Sequence, residues 1–219
     1  MTHTMPIATT DAVLFTVENN KLKALVHQRP EPPFEHQWAL PGGYFHIDTD
    51  QNAQEAIERI VRKKTGLDKI FFEQLFTMSG STRDPRGWSL SVVFMGLFPE
   101  GTLNIPKNHK LIDAINPPTL AFDHQDILEK AVGRLKGKGA YSTLPANLIQ
   151  APFSLGQLQK IYEIILQTNL ETSAFRRKIK AIDILEPVSG LTTGRGRPGK
   201  LWKLKRPTQT FDKRSLRPI

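Results

Sequence analysis

Trp38-Ala39-Leu40-Pro41-Gly42-Gly43, followed after a loop by Arg59-Ile60-Val61-Arg62-Lys63-Lys64-Thr65-Gly66, is the stretch whose reading decides the fold. An apolar strand running into Pro-Gly-Gly marks a sharp change of direction where backbone can approach a ligand. Ala56, Ile57, Ile60 and Val61 share one face of a helix predicted over 51–65, and Gly66 stands where a left-handed cap ends a helix. Upstream, strands at 12–17 and 22–26 flank the turn Glu18-Asn19-Asn20. Downstream, strands at 71–76 and 90–97 flank the polar loop 81–87, and a second helix is predicted over 123–135. Strands, helix, strands and helix in this order predict an α+β domain, a sandwich of α/β/α layers.

The ordered series Trp38 to Gly43, Arg59 and Thr65-Gly66-Leu67 resembles the Nudix box, the loop-helix signature of pyrophosphohydrolases. Arg83-Asp84-Pro85-Arg86-Gly87 and Leu120-Ala121-Phe122-Asp123-His124 resemble the branch similar to ADP-ribose pyrophosphatases. The family pattern implies metal-holding glutamates where this chain has Ile60, Lys63 and Lys64. The upstream glutamate position falls on Thr49, and the span to Arg59 is two residues longer than the pattern. Magnesium needs hard oxygen ligands, and ammonium groups repel it. The expectation is a Nudix fold without hydrolysis, metal or cofactor. Asp48, Asp50, Glu55 and Glu58 could form a shifted metal site, but ion pairs of Glu55 with Arg59 and Glu58 with Arg62, four residues apart on the helix, are the favoured alternative.

Losing catalysis leaves the pocket walls in place. Arg29, Arg83 and Arg86 offer planar forks for phosphate, Phe34 or Trp38 a stacking surface for a base, and Gly42 and Gly43 close backbone approach. The competing structural reading is a turn held by Asp84 and Pro85 beside solvated arginines, with Trp38 in the core.

Charge divides the chain. Of the formal net charge of +9, residues 1–150 contribute 16 Lys+Arg against 16 Asp+Glu and residues 151–219 contribute 14 against 5. A basic excess concentrated in one segment fits a phosphate-rich partner. A boundary is expected over 133–152, giving domains at 1–150 and 151–219. There is no cysteine to form disulfides or thiolate metal sites. Met1 to Asp11 lacks a basic region followed by an apolar run, and no stretch reaches membrane-span length, so a cytoplasmic protein without a membrane partner is expected.

Ser154-Leu155-Gly156-Gln157 has capping-box spacing ahead of an apolar stripe of Leu158, Ile161, Tyr162 and Ile165. A second helix, capped by Thr172 or Ser173, places Phe175, Ile179 and Ile182 on one side and Arg176, Arg177, Lys178 and Lys180 on the others. A hairpin with Thr192 to Pro198 at its tip follows, with Arg195, Arg197 and Lys200 as wing cations. Helix, turn, basic helix and hairpin is the order of a winged helix-turn-helix, whose second helix enters the major groove.

The segments Pro152-Phe153-Ser154-Leu155, Tyr162-Glu163, Phe175-Arg176-Arg177-Lys178, Leu185-Glu186-Pro187 and Gly196-Arg197-Pro198 resemble the C-terminal domain of the Nudix-related transcriptional regulators, the NrtR family. That resemblance implies a homodimeric repressor of NAD-metabolism genes, bound to double-stranded palindromic operator DNA and responsive to ADP-ribose or a related nucleotide. The alternatives are an active ADP-ribose pyrophosphohydrolase with a basic appendage, and a regulator of sugar metabolism sensing a different ligand.

Overall fold

The computed structural model describes residues 5–68, 70–191 and 199–205. They fall into two compact units: the described residues of 1–16 and 23–132, and those of 17–22 and 133–219. Arg195 and Arg197, expected on the wing, lie outside the described residues.

The first unit is organised by a seven-stranded sheet ordered β3-β2-β1-β6-β5, with β4 paired to β1 and β7 to β2. β1 (Ile7–Glu18) and β2 (Lys21–Gln28) are joined at Asn19 and Asn20, whose φ values of 52° and 59° supply the positive angles a tight hairpin turn needs. β3 (Trp38–Ala39) and β4 (Gly42–Tyr44) are short strands on either side of Pro41. β4 runs antiparallel to β1, with Asp11 opposite Gly42 and Thr10 opposite Gly43. β5 (Phe71–Gly80) pairs antiparallel with β6 (Ser89–Leu97), which lies parallel to β1. β7 (His109–Asp113) closes the other side on β2.

Helix α1 (Ala53–Thr65) starts at Asn52, whose side chain accepts from the Glu55 N–H, and ends on Gly66 at φ 75°. It buries Ala56, Ile57, Ile60 and Val61, of which Ile57 and Val61 join a core with Ala12, Leu14, Leu25 and Phe94. The expected helical ion pairs give way to others: Arg59 binds Asp50 through two hydrogen bonds of 2.7 Å, and Arg62 pairs with Asp68 at 3.1 Å. Helix α2 (His124–Gly139) follows.

In the second unit, helix α3 (Leu155–Leu166) carries the expected capping box, with Ser154 and Gln157 bonding reciprocally. Helix α4 (Thr172–Ala181) is capped by Glu171 instead of Thr172 or Ser173. The longer Glu171 side chain reaches the N–H groups of both Ser173 and Ala174, at 2.8 and 2.6 Å. Phe153, Leu158, Tyr162, Phe175, Ile179 and Ile184 form the core, with the Tyr162 and Phe175 rings 5.5 Å apart edge-to-face. The buried Tyr162 hydroxyl donates to the Ser142 carbonyl at 2.8 Å. β8 (Leu185–Leu191) and β9 (Lys200–Leu204) pair antiparallel, and main-chain bonds between Trp202 and Phe153 tie β9 to the segment before α3. Among the described residues no helix is long and apolar enough to cross a membrane.

Candidate functional site

The β1–β4 register opens a cleft of about 370 Å³ in the first unit. Asp11 and Gly42, paired across β1 and β4, both line it. A methyl group on Gly42 would lie 1.8 Å from Asp11 Oδ1 and 2.8 Å from the Thr10 carbonyl oxygen, so only glycine fits beside that carboxylate. Asp11 accepts from the Ser91 hydroxyl at 2.6 Å and faces His124 Nε2 at 3.8 Å and Arg83 at 4.0 Å.

Arg29, Gly42, Gly43, Arg83 and Arg86 all line this cleft; Phe34 and Trp38 do not. Phe34 packs edge-to-face on Phe122 at 4.7 Å, and Trp38 is half-buried in β3 with the Lys110 ammonium 3.9 Å above its ring. Besides the His27 and His124 rings, the aromatic side chains that line the cleft are Tyr44 and Phe122. Two guanidinium groups lie near the Phe122 ring, Arg29 at 4.7 Å and Arg86 at 5.9 Å from its centroid. That makes a flat, cation-flanked surface of the kind that accepts a planar electron-rich ring.

The arginines differ in what they hold. Arg83 is clamped by both oxygens of Asp123 at 2.9 and 3.0 Å and donates to Ser89 at 3.2 Å. Arg86 is clamped by both oxygens of Asp84 at 3.0 and 2.7 Å and donates to the Tyr44 hydroxyl. Burial alone would raise the Asp84 carboxyl, but its bonds with Arg86 hold it below the ordinary range. Arg29 donates to the carbonyls of Pro33 and Glu31 at 2.7 and 3.2 Å.

Helix α1 sends one more cation into the cleft. The ammonium of Lys64 donates to the Gly42 carbonyl at 2.6 Å, and burial lowers its affinity for a proton. Lys63 is exposed and outside the cleft, while Ile60 is buried with its Cδ1 3.2 Å from where a Gly43 methyl would stand. The acidic residues around the helix start are engaged elsewhere. Arg59 brings the Asp50 carboxyl down to about 2, Glu55 accepts from Gln51 and Asn52, and Glu58 from Gln54. Among the described residues no group of three or more His, Cys, Asp or Glu side chains is placed to hold a metal ion.

Three histidines near this site titrate low. Burial, then Lys64, pushes His27 down to about 3, and burial also lowers His109 and His124. Nδ1 of His124 accepts the Leu40 N–H at 2.9 Å, which requires that nitrogen to be unprotonated. In the unfolded chain these rings take up protons near pH 6.5, whereas folded His27 stays neutral until about pH 3. Stability is therefore full above pH 6.5 and lost as pH falls below it, by about 1.4 kcal/mol per pH unit for each proton. Urea unfolding at pH 7.5 and 5 should show this decline, and His27→Gln should flatten it by one proton; an unchanged slope would contradict the buried neutral ring.

The second candidate surface is α4. Thr172, Ser173, Arg176, Arg177 and Lys180 are exposed along one groove with Glu171, while Phe175 and Ile179 are buried. Lys178 is half-buried, and Lys200 is exposed at the start of β9. The exposed face thus presents three cations, from Arg176 and Arg177 in mid-helix to Lys180 in the last turn, a pattern suited to a phosphate array.

Sequence reasoning missed Asp11, Tyr44, Phe122 and His124 as cleft residues and treated Lys64 only as a lost carboxylate. The signal for two of them lay in Leu120 to His124, which reads as a family-like segment without a role of its own.

Comparisons with known proteins place both parts of the chain in described families. Residues 8–134 match the family described as the NUDIX domain, and residues 145–204 match the NrtR DNA-binding winged helix domain. The chain is 35% identical over 204 residues to the ADPR responsive transcriptional repressor NtrR of Acinetobacter baylyi, covering 90% of this chain and 82% of that one. Shewanella oneidensis NrtR, solved with a 27mer DNA, superposes with a TM-score of 0.86 at 34% identity, covering 91% of this chain and 94% of that one. The Nudix domain of the same Shewanella protein, solved with ADP ribose, superposes with a TM-score of 0.56 at 34% identity, covering 61% of this chain and 90% of that domain.

Proposed function

The chain belongs to the NrtR family, a Nudix domain followed by the NrtR winged helix, and from that premise we propose that it is an ADP-ribose-responsive repressor of NAD-metabolism genes. Residues 151–219 bind operator DNA: Arg176, Arg177 and Lys180 of α4, with Thr172 and Ser173 at its first turn, enter the major groove, while Lys178, Lys200, Arg195 and Arg197 add phosphate contacts. Residues 1–150 sense the nucleotide through Arg29, Gly42, Gly43, Arg83 and Arg86, with Tyr44 and Phe122 as the aromatic surface. The working form is a cytoplasmic homodimer on a palindromic site, as two-fold symmetry requires.

The observation that carries the reading is the state of the cleft. The helix that would hold a divalent metal in a Nudix hydrolase presents Ile60, buried, Lys63, exposed, and Lys64, whose ammonium points its bond into the cleft. These side chains do not fit such a metal, so the pocket binds its nucleotide without cleaving it.

The test is a mobility shift on the promoter beside the chain's own gene, with and without ADP-ribose. ADP-ribose is expected to weaken the complex at least about tenfold, a coupling of about 1.4 kcal/mol. Absence of a retarded complex at moderate salt rejects the regulator. A complex insensitive to ADP-ribose but released by a sugar transfers the sensor to a different ligand.

A further inference from the structure

We propose that the Lys64 ammonium is a built-in cation for the effector's diphosphate, replacing a divalent metal, so that the cleft takes its nucleotide without Mg²⁺. This deepens the sensing reading above and rests on it.

The case is one of unspent charge. Four cations line the cleft, Arg29, Lys64, Arg83 and Arg86. Arg83 and Arg86 are each neutralised by two-point bonds to Asp123 and Asp84. Arg29 and Lys64 make their side-chain hydrogen bonds to main-chain carbonyl groups. A partly buried cation whose hydrogen bonds go to carbonyls, with no carboxylate bonded to it, keeps much of its desolvation cost, and an arriving anion relieves it.

Lys64 is the more buried of the two and makes fewer hydrogen bonds. Its side-chain hydrogen bond goes to the carbonyl of Gly42, a cleft residue that has no side chain of its own to stand between the ammonium and an arriving anion. An ammonium has three donors, so two remain. Asp11, which lines the same cleft, attracts this cation and would repel a diphosphate unless a positive group stood between them. Lys64, reaching the cleft from α1, is the cation that supplies that screening. Burial lowers the proton affinity of Lys64, as expected of a charge taken out of water before its partner arrives. Lys63, its neighbour, is exposed and lines no part of the cleft.

Calorimetric titration of the full chain with ADP-ribose, in EDTA and again in excess Mg²⁺, tests this directly. Wild-type affinity is expected to agree within about twofold in the two buffers. Lys64→Met, which keeps the aliphatic stem, is expected to weaken binding about 10- to 100-fold, the worth of one charge-assisted contact. Lys64→Arg should recover part of the loss, and Lys63→Ala should stay within about twofold of wild type. A tenfold weakening of wild type by EDTA overturns the proposal even if Lys64→Met fails to fold, and so does wild-type affinity in a folded Lys64→Met. No binding of ADP-ribose by wild type in either buffer rejects the sensing reading itself, and the Lys64 role with it.

Discussion

Replacing Arg176 and Arg177 together by alanine is expected to lower operator affinity about a hundredfold or more while leaving the fold and the response to ADP-ribose binding intact. Both side chains are exposed on α4, with Phe175 and Ile179 buried beneath them, so their loss should change stability by no more than about 0.5 kcal/mol. Each charge-assisted contact to DNA is worth about 1.5–3 kcal/mol, and two of them give the expected loss. If both contacts are to phosphate, the slope of log affinity against log salt should also fall by about 1.8. If instead the loss is confined to particular base pairs with the slope unchanged, the pair reads bases. Fluorescence anisotropy at several salt concentrations separates the two, and full retention of affinity would mean that another element carries recognition.

The features legible in the sequence were those in which neighbouring residues decide their own conformation. Asn19-Asn20 turns a hairpin, Gly66 ends a helix, and Ser154 with Gln157 starts one, each through bonds or φ angles within a few positions. The Glu171 cap was obscured because Thr172 and Ser173 are better capping residues by type. Burial of Phe175 and Ile179 fixes the helix phase and leaves Glu171 at the cap position. Helical spacing likewise suggested Glu55–Arg59, but Asp50, in the loop before the helix, offers two oxygens to the Arg59 fork and takes it.

The cleft was harder to read because its partners come from distant parts of the chain. Ser91 meets Asp11 across the β1–β6 pair, and His124 reaches Leu40 from the start of α2. No local spacing encodes such pairs. Phe34 and Trp38 drew attention by lying close to Pro-Gly-Gly in sequence, whereas Phe122 and Tyr44 are brought to the cleft by the tertiary fold. β7 (His109–Asp113) went unseen for a related reason: it is five residues long, and its pairing with β2 gives it its place.

Gly42→Ala is expected to be the most damaging single substitution in the first unit, destabilising the chain by about 3–5 kcal/mol in urea unfolding. The added methyl would stand 1.8 Å from Asp11 Oδ1, so the carboxylate must swing away, and the Thr10 carbonyl 2.8 Å off is backbone that cannot turn aside without moving β1 from β4. Overpacking of this kind costs about 1–3 kcal/mol. Breaking the bond from Ser91 to a buried carboxylate adds about 1.5–3 kcal/mol. Gly43→Ala is the matched control. Its methyl would meet only the tip of the Ile60 side chain at 3.2 Å, and that tip can rotate, so the expected cost is below about 1 kcal/mol. The Gly42 carbonyl holds Lys64, so displacing it moves the cleft's unspent cation, and any folded Gly42→Ala protein should still have lost ADP-ribose binding by calorimetry. A Gly42→Ala variant as stable as Gly43→Ala would mean that Asp11 has room to swing away from Gly42, and the close β1–β4 register would no longer explain why glycine stands there.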